Sequence, residues 1–374
     1  MEPRATTPPD RRAHPGPHPG PHPAPNAAPR GGLPVRSRLG AATAFAGLLS
    51  AAAVRGATPG FAATGPARTR TVPVTVPPRP DGGGAYVAAV TRIGPRIIDL
   101  SVDSPAMGAK VPVRVILPSG WSPRSARTYP TLYLLQGASD DYTSWTRETD
   151  VAALASKAQV IVVMPDGGRA GFYTNWWNYG RQGDPRWETF HTAELPRIME
   201  SGYRAGTRRA VIGLSEGGLG ALAYAARHSG AYVFAGSFSG PVDLDDTLLR
   251  DGIVLTCLRE GVDPLRLWGD PKQNRAVWDL HNPARLVPRF RGIKVHLSAA
   301  MGRTGPLDVN SPPEAGLLEV PAYLPNLRLA DALRKDAVDV TAHLYEVGTH
   351  TWPYWQRELH VAWPAVLAAL QAAG

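Results

Sequence analysis

Cysteine is nearly absent from this 374-residue chain, and Cys257 stands alone. One thiol excludes any intramolecular disulfide; it is compatible with export without arguing for it. Its expected role is small apolar filling in or near a helix over Leu248–Leu258. Long apolar runs are also missing. The longest, Leu39–Val54, is 16 residues, Ala-rich and short of the roughly 20 a membrane helix takes. Acidic residues are in deficit, 31 against 40 Lys plus Arg, for a net charge of +9. Residues 1–65 hold seven Lys/Arg and two Asp/Glu, a surplus of five, so the remainder carries only +4 (9 − 5). A nucleic-acid partner would take clustered basic residues inside a recognisable binding motif. The chain has no such motif, no internal repeat and no metal-ligand spacing, so neither nucleic acid, metal nor another cofactor is expected.

What is abundant at the N-terminus is proline, alanine, histidine and glycine. Residues 1–34 include Pro15-Gly16-Pro17-His18-Pro19-Gly20-Pro21-His22. Such composition cannot bury a core and reads as a disordered leader, with weak metal binding by its histidines a lesser reading. Arg36-Ser37-Arg38 then precedes Leu39–Val54, and the small residues Ala62-Ala63 follow. A basic segment, a short apolar segment and small residues are the parts of a secretory signal, or of an uncleaved anchor. Arg11-Arg12 lies too far upstream to serve as a twin-arginine signal. Residues 1–65 are therefore expected to be leader plus signal or anchor, residues 66–374 a catalytic domain, and the protein secreted or held in the cell envelope.

Strand-like runs recur through the second part: Tyr86–Ile93, Ile97–Val102, Val111–Leu117, Thr131–Leu135, Val160–Met164, Ala210–Leu214, Tyr232–Ser237, Ile293–Leu297 and Val338–Tyr345. Helical stretches separate most of the later ones: Thr149–Ala155, Glu188–Ser201, Gly218–His228, Pro325–Lys335 and Tyr354–Ala373. Strands without helices, then strand–helix alternation, predict a mixed sheet with an antiparallel start and a parallel remainder. Residues 239–282 read as an insertion with its own helix, a lid or wall over the site.

One junction carries chemistry. Val211-Ile212 runs into Gly213-Leu214-Ser215-Glu216-Gly217, a G-x-S-x-G motif, and an Ala-rich helical segment follows. Strand, sharp turn and helix are the context in which this motif is a nucleophile elbow. A serine hydroxyl is a weak nucleophile and must be held where a base can reach it. The base should lie in a loop after the last strand. Gly348 breaks that strand and Pro353 opens the terminal helix, which places His350 on the loop; His343, within the strand, is the competitor. The acid should follow the preceding strand, where Asp308, Glu314 and Glu319 are candidates, Asp308 being attractive by position. One N–H of an oxyanion hole would come from Glu216, the residue after the nucleophile. A carboxylate there would repel an oxyanion unless it points into solvent or pairs with a cation. Of the ten tryptophans, Trp176, Trp177, Trp187, Trp268, Trp352 and Trp355 fall in loops or helix starts. Trp352, two residues after His350, is the one expected to contact substrate.

The chain resembles the antigen 85 mycolyltransferases and the wider esterase D group of α/β-hydrolases over roughly residues 85–370. Pro130–Gly137 with Asp140-Asp141-Tyr142-Thr143-Ser144-Trp145 is similar to a core strand and loop of that family. Val162–Gly168 with Phe172-Tyr173-Thr174-Asn175-Trp176 is similar to its next strand and aromatic loop. Trp187-Glu188-Thr189-Phe190 with Glu194-Leu195-Pro196, then Leu267–Pro271, then Gly348–Trp352 with Tyr354-Trp355, continue the series in order. The resemblance implies an α/β-hydrolase fold with helices on both faces of a mostly parallel sheet. It implies a Ser215–Glu319–His350 triad, since the family's acid sits in a Leu-Glu pair about thirty residues before its histidine, and Leu318-Glu319 lies 31 before His350 (350 − 319). It implies a second oxyanion donor at Ala138. It further implies an acyl-ester substrate, small molecule or lipid, with a sugar, trehalose, as acyl acceptor. The family's Asp and Arg that help hold trehalose are replaced here by Gln136 and Ser139, which implies a neutral grip on the acceptor and leaves a secreted esterase beside the acyltransferase. The same family holds members that lack the serine and only bind matrix or sugars; intact Ser215, Glu319 and His350 argue against that alternative.

Overall fold

The computed structural model describes Pro77 and residues 83–372. The leader and signal expected in residues 1–65 lie outside the described residues. Among the described residues nine strands form one sheet: β1 (Tyr86–Arg92), β2 (Ile97–Ser104), β3 (Ala109–Ile116), β4 (Tyr129–Leu135), β5 (Ile161–Pro165), β6 (Ala205–Leu214), β7 (Phe234–Phe238), β8 (Lys294–Ala300) and β9 (Val340–Tyr345). Their spatial order is β1-β2-β3-β5-β4-β6-β7-β8-β9. The first pairings, β1 to β2, β2 to β3 and β3 to β5, are antiparallel. All pairings from β5 through β4 to β9 are parallel. This is the mixed sheet expected from the alternation of elements.

The longer helices are α1 (Leu195–Tyr203), α2 (Glu216–Arg227), α3 (Thr247–Arg259), α4 (Glu314–Lys335) and α5 (Trp352–Gln371). Successive side chains of a strand face opposite sides of the sheet. Tyr133 and Leu135 of β4 accordingly join Leu219 and Leu222 of α2 and Leu329 and Leu333 of α4 in one core. Leu132 and Leu134 join Leu359 and Val366 of α5 in the other. Helices thus cover both faces, and the sheet is buried on each side as parallel sheets are. Cys257 is fully buried in α3, and burial pushes its thiol pKa up, which suits filling and not reactivity.

The prediction for α4 was short. Its start was expected at Pro325, but the helix begins at Glu314 with Pro321 and Pro325 inside it. Each proline removes one intrahelical donor and usually marks a boundary. Here Pro325 is buried, and the neighbouring Asn326 amide donates to the Ala322 carbonyl at 2.9 Å and the Gly240 carbonyl at 3.0 Å. Packing overrides the local signal, and it carries Glu319 into a helix. Among the described residues no helix is long and apolar enough to cross a membrane.

Candidate active site

β6 ends at Leu214 and α2 begins at Glu216, so Ser215 is the whole connection. Its backbone sits at φ 51°, ψ −123°, a conformation that costs on the order of 1–3 kcal/mol for a residue with a Cβ. The flanking glycines explain how the turn closes. A Cβ on Gly213 would lie 2.0 Å from the Gly217 carbonyl oxygen, and one on Gly217 would lie 2.4 Å from the Gln136 carbonyl oxygen. The Ser215 N–H donates to the Phe238 carbonyl at 2.8 Å, which pins the turn to the neighbouring strand end.

Three side chains from three distant segments meet there. His350 Nε2 is 2.9 Å from Ser215 Oγ, and His350 Nδ1 is 2.7 Å from Glu319 Oε2. Glu319 is 1 % exposed. Its other oxygen accepts from the Ala300 N–H at 2.7 Å and from Ser239 Oγ at 2.9 Å. A buried carboxyl so placed, with both oxygens hydrogen-bonded, is fixed in position and orients the imidazole. The His350 N–H donates to the Ala315 carbonyl at 3.0 Å, tying its loop to α4, and the ring meets Trp355 edge-on at 4.9 Å.

The other acid candidates are elsewhere. Asp308 accepts from Thr349 Oγ1, from the Tyr354 hydroxyl and, at 2.7 Å, from the Gly305 N–H. It braces the His350 loop from outside. Glu314 is buried at the start of α4. His343 lies in β9 as expected, bonded to Glu358 at 2.8 Å.

Glu216 departs from expectation. It neither points into solvent nor pairs with a cation: it is 3 % exposed, with Oε1 accepting from the Phe172 N–H at 2.7 Å and Oε2 buried without a partner. Burial raises its pKa to about 8, with Glu260 and Asp166 pushing the same way against the Phe172 hydrogen bond. Burial thus favours the neutral carboxyl, which weakens the repulsion an anion would exert there. As first residue of α2 its N–H has no intrahelical partner. The Gln136–Ser139 loop comes close beside it, since a Cβ on Gly137 would lie 3.3 Å from Ser215 Cβ. That places the following residue, Ala138, at the same turn.

Ser139 is not a free hydrogen-bonding group, and Gln136 is buried with its amide nitrogen engaged and its Oε1 without a partner. Gln136 is 1 % exposed, and its amide nitrogen donates to the Asp140 carbonyl at 2.7 Å. Ser139 Oγ bonds both Arg259, the last residue of α3, and Glu260, its cap, and Glu260 also holds Arg169 at 2.6 Å. The rim that sequence substitution made neutral is thus ionic, with its guanidinium groups supplied by other segments. Trp352 is half-buried, edge-on to Trp145 at 5.4 Å and to Trp355 at 5.3 Å. Trp176, Trp187, Trp268 and Trp355 are buried and pack the walls.

Sequence reasoning missed Ser239. It supports Glu319 and accepts from Trp355 Nε1 at 3.1 Å. Its place directly after β7, at the carboxyl edge of the sheet, was the available signal. It also missed the group formed by His296, His343 and Glu358, whose ligand atoms lie within 4.8 Å of one another. These donor types can hold a transition metal. In the structure their hydrogen bonds are satisfied internally: one Glu358 oxygen is 2.5 Å from His296 Nε2 and 2.8 Å from His343 Nδ1, and the other accepts from the Tyr345 hydroxyl at 2.9 Å.

Comparison with known proteins agrees with this architecture. The Esterase family model matches residues 104–366. The diacylglycerol acyltransferase/mycolyltransferase Ag85B of Mycobacterium leprae is 31 % identical over 303 residues, covering 78 % of this chain and 89 % of the relative. An esterase of Mycobacterium tuberculosis is 34 % identical over 231 residues, 59 % of this chain and 49 % of the relative. Among solved structures, MPT51 of M. tuberculosis superposes with a TM-score of 0.61 at 25 % identity, over 73 % of this chain and 98 % of that one. Elbow, sheet order and these likenesses together show that the chain belongs to the Esterase family, as an antigen 85-like member of the α/β-hydrolases.

Proposed function

We propose that the protein is a serine-dependent acyl-ester enzyme that works through an acyl-serine intermediate on Ser215. The observation that carries this reading is the unbroken chain from Glu319 through His350 to Ser215 Oγ, at 2.7 and 2.9 Å, on a strained elbow. In it Ser215 attacks the ester carbonyl while His350 Nε2 takes the hydroxyl proton. Glu319 orients the ring and stabilises the imidazolium, and does not itself take the proton. The oxyanion is met by the Ala138 and Glu216 N–H groups. His350 then protonates the leaving alkoxide, and water or another hydroxyl, deprotonated in turn, releases the acid or a new ester.

The substrate is an acyl ester, small molecule or lipid, and a sugar acceptor is a second outcome of the same intermediate. The leader's basic, apolar and small-residue segments support export to the outside or to the cell envelope. A fluorophosphonate probe should label the wild type once, at Ser215. The Ser215→Ala variant should keep its fold, take no label and lose hydrolysis of short p-nitrophenyl esters. A folded variant with unchanged turnover would overturn the reading, whereas a wild type that neither takes label nor hydrolyses esters would put the non-catalytic binding alternative first.

A further inference from the structure

Behind the His350 loop, outside the proposed chemistry, lies a cavity of about 490 Å³. Its apolar walls come from Pro306 and Leu307 on one side and Val347 on the other. Tyr345, Tyr354 and Arg357 complete it. Arg357 is the unusual member. Its guanidinium carbon stands 3.8 Å from the Tyr345 ring centroid and 5.1 Å from that of Tyr354, so both rings grip the cation by its face. That stacking orients the plane but satisfies no N–H. The Nε atom is buried and has no hydrogen-bond partner, and among the described residues no carboxylate pairs with this arginine. Glu346 also borders the cavity, but it is exposed and makes no ion pair with Arg357.

Burial closes Nε to the cavity, so what this unpaired cation can offer a ligand is its two terminal nitrogens. These two, which make no hydrogen bond among the described residues, present a planar fork that matches the two oxygens of a carboxylate. The apolar walls match a hydrocarbon body. We propose that this cavity is a binding site for an aliphatic carboxylate, with the head group on Arg357 and the chain along Leu307, Pro306 and Val347. The site is separate from Ser215 and takes an anion, whereas the reaction takes a neutral ester. It touches the His350 loop on two sides, through Val347 and through Tyr354, whose hydroxyl holds Asp308.

The test is calorimetric titration of the full chain with octanoate and, separately, with octanamide, its neutral analogue. Saturable binding of one octanoate, with octanamide at least tenfold weaker, is expected. Arg357→Gln should weaken octanoate about tenfold or more and leave octanamide unchanged, and Arg357→Lys, which keeps charge but loses the fork, should fall between. Leu307→Asp, at an exposed rim position, places a like charge at the mouth and should weaken octanoate without touching the fold. The two sites are distinguished by repeating the titration after fluorophosphonate treatment, which should leave octanoate binding intact. Absence of saturable binding, equal binding of acid and amide, or octanoate affinity indifferent to both Arg357→Gln and Leu307→Asp would each overturn the proposal.

Discussion

At the scale of single residues the two carboxyls that flank the His350 loop have different tasks, and their surroundings set them. Glu319 is buried among donors: the Ala300 N–H and Ser239 hydroxyl fix one oxygen and leave the other facing His350. Asp308 is equally well bonded, but its partners are Thr349 and Tyr354, and it never reaches the imidazole. Glu319→Gln is therefore expected to lower kcat by up to about 10⁴-fold, the scale seen when a triad carboxylate becomes an amide. Asp308→Asn should cost far less. Steady-state kinetics on one short ester would rank them, and the reverse ranking would remove Glu319 from the mechanism.

Glu216 gives a pH signature. Its pKa is raised from the ordinary 4.5 to about 8, mainly by burial. The folded protein thus keeps a proton that the unfolded chain has released between those values, so stability declines as pH rises through that window and levels off above it. Beyond about pH 8 an anion forms beside the proposed oxyanion donors. Activity of the wild type should then fall on the alkaline side, while Glu216→Gln, neutral throughout, should hold its rate to higher pH. Superimposable pH–rate profiles would show that Glu216 does not ionise in the working range.

At the scale of elements, the strand–elbow–helix unit depends on backbones that nearly touch. A Cβ at Gly217 would meet two carbonyl oxygens of the β4 end, those of Gln136 and Leu135, at 2.4 and 2.5 Å. Neither can move without dragging the sheet, so Gly217→Ala should cost about 3 kcal/mol or more, at the upper end of overpacking effects. Gly252 sits in α3 with open space around it, and Gly252→Ala should instead stabilise by up to about 1 kcal/mol. Thermal unfolding of the two variants makes the comparison, and equal midpoints would contradict the close approach.

This unit was the most legible part of the chain, because its chemistry is local: a β-branched run, five motif residues and an Ala-rich helix stand next to one another. The nine strands were legible for the same reason, through short apolar runs between turns. What stayed hidden depended on distance along the chain. Ser239 reaches Glu319 across 80 residues, and Ser139 reaches Glu260 across 121. The start of α4 was hidden by Pro321 and Pro325, since local chemistry there opposes the helix that packing imposes. Gln136 and Ser139 could be compared by type with the family's polar pair, but nothing local told that other segments would bind them first.

At the scale of the whole molecule, that last point decides what the proposed acyl-enzyme would meet. Three segments converge on the rim: the Gln136–Ser139 loop, Arg169, and the end of α3 with Arg259 and Glu260. Ser139 donates its N–H to the Arg169 carbonyl at 2.8 Å, and Glu260 ties both arginines. The Glu260 pKa is lowered: burial alone would raise it, but the hydrogen bonds from Ser139, Arg169 and Arg259 prevail. The insertion over residues 239–282 is therefore joined to the loop next to Ser215 as a wall. A sugar acceptor must outcompete water, which takes effective molarities approaching about 10⁵ M or more from well-placed partners. Much of the rim is instead engaged internally: the Gln136 amide nitrogen on Asp140, and the Ser139 hydroxyl with the Nε groups of Arg169 and Arg259 on Glu260. Binding a polyol would mean breaking charge-assisted hydrogen bonds, the stronger kind, to make neutral ones. Hydrolysis should accordingly dominate, with trehalose at millimolar concentration giving little acyl-trehalose from a common donor ester. Partition of label between free acid and acyl-sugar measures this. Predominant acyl-trehalose would mean that the rim opens to receive the sugar, and the acyltransferase reading would replace the esterase one.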